Sequence, residues 1–210
     1  LRLSQPAWFY PGGGWVQPAA LARSFLQSAG ASVRFCGGVA VRSLRWAGDH
    51  WLLLDDTDQP IERSAVVVLA NGADALRLLP ARQWPVQSVR GQLSLFHNQH
   101  VDSPVRLQLP RLPIAGAGYL LPSVDGLAVF GASSQPGDAE CSVRDTDHAF
   151  NLQRLRQIHA QPMPELQALH GRVSWRLVAD DRLPLVGAVP DDNASATGRI
   201  ERLRDTPRQP

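Results

Sequence analysis

The chain has 210 residues, 44% of them hydrophobic, with a formal net charge of +2; this supplies a packed core and excludes an intrinsically disordered chain. All 21 basic residues are arginines, so lysine chemistry is excluded and every fixed cation is a planar fork suited to carboxylates and phosphates. No apolar run approaches the ~18–20 residues of a membrane span, and the size fits one large domain or two small ones.

The opening residues 1–10 have no basic segment followed by an apolar one, so no signal peptide is expected. Cys36 and Cys141 are too few and too isolated for a disulfide framework or a zinc site. Free thiols of this kind point to a reducing, cytoplasmic setting.

In chain order, the first distinctive stretch is "YPGGGWVQPAALARSFLQSAG", residues 10–30. Pro18 suits the first helical position, where its missing N–H goes unneeded. Ala22, Phe25, Leu26 and Ala29 follow at helical spacing and Gly30 is a stop. "SVRFC" predicts a short strand. "VAVRSLRW", "HWLLLDD" and "PIERSA" have the lengths and turn residues of a small antiparallel meander. "AVVVLANGA", residues 65–73, is a continuous apolar run and predicts a strand buried on both faces of a parallel sheet. It ends at Asn71-Gly72, a sharp turn, and loops at the carboxyl ends of such strands are where ligands lie.

From Arg90 the pattern alternates, with Leu93 and Leu95 on one face against Gln92, Ser94 and Phe96 on the other. "GYLLPSVDGLAVFGASS" is two strands joined by Asp125-Gly126, a strong hairpin signal. "SVRDTDHAFNLQRLRQIHA" predicts a helix with a Ser142/Asp145 capping box and apolar Leu152, Leu155 and Ile158, ended by Pro162 and Pro164. "GRVSWRLVADDRLPLVGAVPD" predicts a strand through about Val178, then an acidic turn and an extended stretch. The expected divisions are a partial α/β layer with its meander over 1–89, a substrate-binding sheet over 90–171, a return segment over 172–192 and a loose tail over 193–210. The fold class is mixed α/β.

Several clusters bear on chemistry. Gly12, Gly13 and Gly14 lack the spacing of a dinucleotide fingerprint, as do Gly116 and Gly118, and there is no P-loop, so these residues carry no phosphate cradle. Taken alone, the first cluster reads as a structural turn or as a point of close approach. His97 and His100 have no carboxylate or thiolate beside them to complete a metal set. Asp180 and Asp181 read as a turn rather than a catalytic pair. Arg172 and Arg176, four apart on a predicted strand, share one face. Two readings stand for them: a bidentate carboxylate clamp, or sheet-edge arginines paired to Asp180 or Asp181.

"GGGWVQPAALARSFL", "VVVLANGADA", "VRGQLSLF", "GYLLPSVDG…GAS" and "WRLVADDRLPLVGAVPD" occur together, in this order, over residues 9–191. In this the chain resembles the FAD-dependent amine oxidoreductases of the D-amino-acid-oxidase type, and among them the tRNA-modifying members. The family's opening Rossmann strand with G-x-G-x-x-G and its closing glycine-rich segment have no counterpart here, so the resemblance is to an internal part. It implies FAD as the cofactor of the intact enzyme, though not held by these residues alone. It further implies tRNA as substrate and a fused SAM-dependent methyltransferase domain. The implied reaction oxidises the C–N bond of a carboxymethylaminomethyl group on a wobble uridine, releasing glyoxylate.

By the same resemblance Gly13, Gly14 and Trp15 lie near the flavin ring. Asn71 and Gly72 end a cofactor-domain strand, and Asp181 and Pro184 shape a flavin-side loop. Arg176 holds the substrate carboxylate, with Tyr119 and Arg90 in the substrate pocket. Two other readings are open: a glycine- or sarcosine-oxidase-like enzyme acting on free amines, and a non-catalytic module that binds RNA or protein without flavin.

Overall fold

The computed structural model describes residues 3–80, 83–98, 107–123 and 125–189. The first helix, α1 (Pro18–Ala29), begins with its proline in the first turn and ends at Gly30, whose φ of +54° is a left-handed stop. Its apolar residues Leu21, Phe25 and Leu26 stay exposed. The strand predicted over 32–36 is absent; a short 3-10 turn, Gly30–Ser32, leads into a segment that pairs with no strand among the described residues.

The meander forms as the turn residues predict, with β1 (Ser43–Trp46), β2 (Trp51–Leu54) and β3 (Pro60–Ser64) paired antiparallel in that order. Trp46 and Trp51 stack across the first pair, ring centroids 5.3 Å apart. The Asp55 carboxylate builds the second turn, accepting the Thr57 N–H and hydroxyl and the Gln59 N–H. Those bonds, led by that of Gln59, lower the pKa of Asp55.

Residues 65–70 are extended but pair with no strand among the described residues. Val66 is 72% exposed and Val68 82%, which corrects the expectation of a strand buried on both faces. An apolar run prescribes burial; only flanking strands and covering helices deliver it. The turn at its end is as expected: Gly72 takes φ +63° and opens the 3-10 segment Gly72–Arg77.

The larger sheet has six strands: β4 (Val86–His97), β5 (Ile114–Ala115), β6 (Tyr119–Leu120), β7 (Leu127–Phe130), β8 (Gln135–Pro136) and β9 (Leu169–Ala179). Long β4 is the spine. One edge takes β7 and β8; the other pairs antiparallel with β9 without a register break, from Val86↔Ala179 to Phe96↔Leu169. The hairpin between β6 and β7 turns at Asp125 and Gly126, both with positive φ. The divisions expected at 89/90 and 171/172 fall inside β4 and β9. Cutting there would sever the longest ladder of the chain.

Helix α2 (Asp145–Ile158) packs across this sheet. Leu152, Leu155 and Ile158 are buried as their spacing predicts, against Phe96, Leu120, Ala128, Phe130 and Leu169. The capping box does not form. Arg144 is the N-cap residue with no side-chain cap, and the Ser142 N–H is instead held by the Glu140 carboxylate. Asp145 and Asp147 in the first turn supply the negative charge that a helix N-terminus favours.

Candidate functional site

The two faces of β4 differ in chemistry. Toward α2 point Arg90, Gln92, Ser94 and Phe96, all buried. Arg90 is 0% exposed and spends all five N–H donors on protein acceptors. These are the Glu140 carbonyl at 2.6 Å, the Ser142 carbonyl at 2.6 Å, Asp147 at 2.7 Å, Gln135 at 3.2 Å and Gln92 at 3.3 Å. No N–H remains for a ligand. This corrects the expectation that Arg90 meets substrate: it fastens the β8–α2 connection to the sheet. Burial works to raise the pKa of Asp147, but hydrogen bonds from Arg90 and Gln135 outweigh it and hold the carboxylate below its usual range.

Gln92 extends the network. Its amide donates to the Arg144 carbonyl and accepts the Arg144 N–H, both at 2.8 Å, and its own carbonyl accepts from Asn151. His148 Nδ1 lies 2.8 Å from the Ser94 hydroxyl. Sequence reading missed this cluster. The available signal was Arg90, Gln92 and Ser94 at a strand's period of two, facing Asp147, His148 and Asn151 on the N-terminal turns of a helix.

The opposite face carries Val89, Gly91, Leu93 and Leu95 on β4. Beside them on β9, by the pairing Val89↔Arg176, Gly91↔Ser174, Leu93↔Arg172 and Leu95↔His170, lie two arginines, a serine and a histidine. Tyr119 of β6 belongs to this face as well. Its neighbour Leu120 is fully buried and pairs with Phe130, which pairs with Ser94 on the α2 side. The result is a half-buried apolar centre with an exposed cationic border.

Arg172 and Arg176 are both exposed and have no ion pair or hydrogen bond among the described residues. Asp181 accepts the Leu183 N–H at 3.0 Å in its own turn, and Asp180 donates its N–H to the Pro85 carbonyl. The reading of these arginines as partners of Asp180 or Asp181 therefore gives way. Burial raises the pKa of Tyr119, and the charge of Arg176 pulls it back. The phenol is a protonated donor at neutral pH, within the field of a free guanidinium.

The other expected residues lie elsewhere. Gly13 donates its N–H to the Tyr10 carbonyl in a turn at 2.9 Å, Gly14 has open space where a Cβ would stand, and Trp15 is 40% exposed. Asn71 borders two adjoining clefts. One, of about 440 Å³, lies against Leu44, Leu53 and Arg77; the other, of about 420 Å³, lies against Ser88, Asp138 and Trp175. Ser88 and Trp175 share the face of Arg90, so this loop does not border the Arg176 face. Trp175 Nε1–H is fixed on the Asp138 carbonyl at 2.8 Å, and a two-pronged hydrogen bond from Arg144 brings the Asp138 pKa to about 2. Asp181 and Pro184 are exposed in the segment after β9. His97 packs edge-on against His170 at 5.3 Å, while His100 lies outside the described residues. No group of three or more metal-ligating side chains occurs among the described residues.

The model of the FAD dependent oxidoreductase family, DAO, matches residues 3–200. The chain belongs to this family. Among curated relatives it is similar to the tRNA 5-methylaminomethyl-2-thiouridine biosynthesis bifunctional protein MnmC of Methylibium petroleiphilum, 44% identical over 100% of this chain and 32% of the relative. It is also similar to the protein of that name from Burkholderia thailandensis, 39% identical over 98% of this chain and 32% of the relative. The chain thus spans about a third of the length of these relatives. Among solved structures, iminodiacetate oxidase (IdaA) from Chelativorans sp. BNC1 has a TM-score of 0.61 at 25% identity, covering 82% of this chain and 46% of that one. Glycine oxidase from Geobacillus kaustophilus has a TM-score of 0.55 at 21% identity, covering 73% and 40%, a likeness of fold. The mixed α/β class with an antiparallel sheet is borne out.

The family's cofactor can be set against the residues present. The exposed Arg176 guanidinium and the Tyr119 hydroxyl on the apolar sheet face are donors of a kind that suits an anionic ligand. For the phosphates of FAD the 210 residues contain no G-x-G-x-x-G.

Proposed function

We propose that the chain is part of an FAD-dependent oxidoreductase that removes the carboxymethyl group from carboxymethylaminomethyl-(2-thio)uridine at the wobble position of tRNA. The full-length protein would carry a SAM-dependent methyltransferase part as well and act in the cytoplasm. The names of the similar proteins support this reading, and one observation carries it: Arg176 is exposed and without an ion-pair or hydrogen-bond partner among the described residues, on the same open sheet face as Tyr119. The guanidinium grips the substrate carboxylate with two parallel N–H bonds, which fixes orientation as well as position. The Tyr119 hydroxyl donates to the same anion. The apolar centre formed by Leu93 and Leu95 sheds water from the reacting C–N bond. Bound FAD would supply the two-electron oxidation of that bond. Gly13, Gly14, Trp15, Asn71, Gly72, Asp181 and Pro184 are proposed to meet the cofactor.

The test is glyoxylate release by the FAD-loaded full-length protein from tRNA bearing the carboxymethylaminomethyl group. Arg176→Ala is expected to lower kcat/KM by a factor equivalent to ~1.5–3 kcal/mol of barrier, the scale of a charged hydrogen bond. Release by the variant at the wild-type rate would remove Arg176 from the site. A second reading, oxidation of free small amines, is favoured by the likeness to iminodiacetate oxidase, since iminodiacetate contains the same N–CH2–carboxylate unit. Turnover of iminodiacetate or sarcosine with none on tRNA would establish it in place of the first.

A further inference from the structure

The carboxylate accounts for one of the two free arginines on the open face. Arg172 stands four residues from Arg176 on the same side of β9, about 14 Å away along a strand rising ~3.4 Å per residue. Among the described residues of β9 and β4, those between them on that side are Ser174 and, beside it, Gly91. Both are small, so no tall side chain separates the two guanidinia. A Cβ at Gly91 would come within 3.1 Å of the Ser133 carbonyl, so this low floor is built into the packing. With the carboxylate assigned to Arg176 under the proposed function, Arg172 is the cation at the other end of the floor.

We propose, building on the reading of the substrate as a modified nucleotide in RNA, that Arg172 binds a backbone phosphate of that RNA while Arg176 holds the carboxylate. A 5-substituted nucleotide is dianionic in this sense, with a carboxylate at the end of one arm and a phosphodiester on the other side of the sugar. Two guanidinia flanking a shallow floor match that charge pattern. An exposed arginine without an acidic partner keeps its donors and full charge for such a ligand. Glycine and sarcosine lack the second anion, and the two carboxylates of iminodiacetate hang on one nitrogen, too close together to span the ~14 Å between the two arginines. Arg172 thus distinguishes an RNA-borne carboxymethyl amine from a free one, a role separate from holding the reacting group.

The experiment is the salt dependence of tRNA binding by the FAD-loaded full-length protein, for wild type, Arg172→Gln and Arg172→Lys. Losing one phosphate contact lowers the slope of log K against log salt by ~0.7–0.9. The proposal expects that decrease in Arg172→Gln, with several-fold weaker binding at low salt, and recovery of the slope in Arg172→Lys. A wild-type slope in Arg172→Gln overturns the phosphate assignment while leaving the tRNA reading intact. Absence of salt-dependent tRNA binding in the wild type overturns the tRNA reading, and this inference with it.

Discussion

Tyr119 and Arg176 stand on the same face of the six-stranded sheet, the arginine's charge opposing the effect of burial on the phenol. Removing that charge leaves burial unopposed. Arg176→Ala should therefore raise the Tyr119 pKa further above its ordinary value of 10.0. A pH titration followed on labelled tyrosine by NMR, in a Tyr10→Phe background, measures the shift; no change would separate the two side chains.

Arg90 is a structural cation, and its loss should be felt as stability. Arg90→Ala leaves two backbone carbonyls without their donor and Asp147, 5% exposed at its side chain, with the Gln135 amide in place of its cation. Breaking a buried pair in this way costs ~3–5 kcal/mol, to be read from the urea midpoint by tryptophan fluorescence. The double variant Arg90→Met/Asp147→Leu should recover part of that loss, because the orphaned charge goes while the orphaned carbonyls stay.

Three titrating groups give stability a defined pH dependence. Burial is the main cause that lowers the His148 pKa from 6.5, with His170 adding to it and Asp145 and Asp147 opposing. The unfolded chain then binds the proton first, so the contribution of His148 is complete above pH 6.5 and is lost as pH falls through the lowered folded value. Asp147 and Asp138, both lowered from 3.8, add a second loss as pH falls below that value. Thermal unfolding across this range should show both declines, and His148→Gln should remove the upper one.

Gly131 sits at the end of β7 with φ +66°, and a Cβ there would lie 2.5 Å from the Asn151 side chain. Gly131→Ala combines a left-handed alanine, ~1–2 kcal/mol, with a clash against a buried amide in the polar network. A loss of ~2–4 kcal/mol in chemical denaturation is expected. Asn151→Ala in the same background removes the amide but keeps the Cβ, 2.6 Å from the added methyl, so it should recover only part of the clash and none of the backbone cost.

Local patterns were legible without the fold. The Pro18 start and Gly30 stop of α1, the three-strand meander, the Asp125-Gly126 hairpin and the buried stripe of α2 each depend on neighbours within a few residues. So did the shared face of Arg172 and Arg176, because alternation along a strand needs only its period of two. The resemblance carried by five short segments likewise pointed to the family that the match over 3–200 then established.

What the tertiary structure alone decided is partnership. Arg90 and Arg176 are the same residue type on adjacent paired strands, yet one is fully buried and spent on five acceptors, and the other is exposed and free. Which face of β4 meets α2 made that difference, and the helix lies some fifty residues away in sequence, beyond the reach of any local pattern. The run at 65–70 shows the converse: its composition asked for burial, and among the described residues no strand pairs with it. Sequence determines what a residue can do; the long-range pairing of strands and helices determines which of its donors, charges and surfaces are still available to do it.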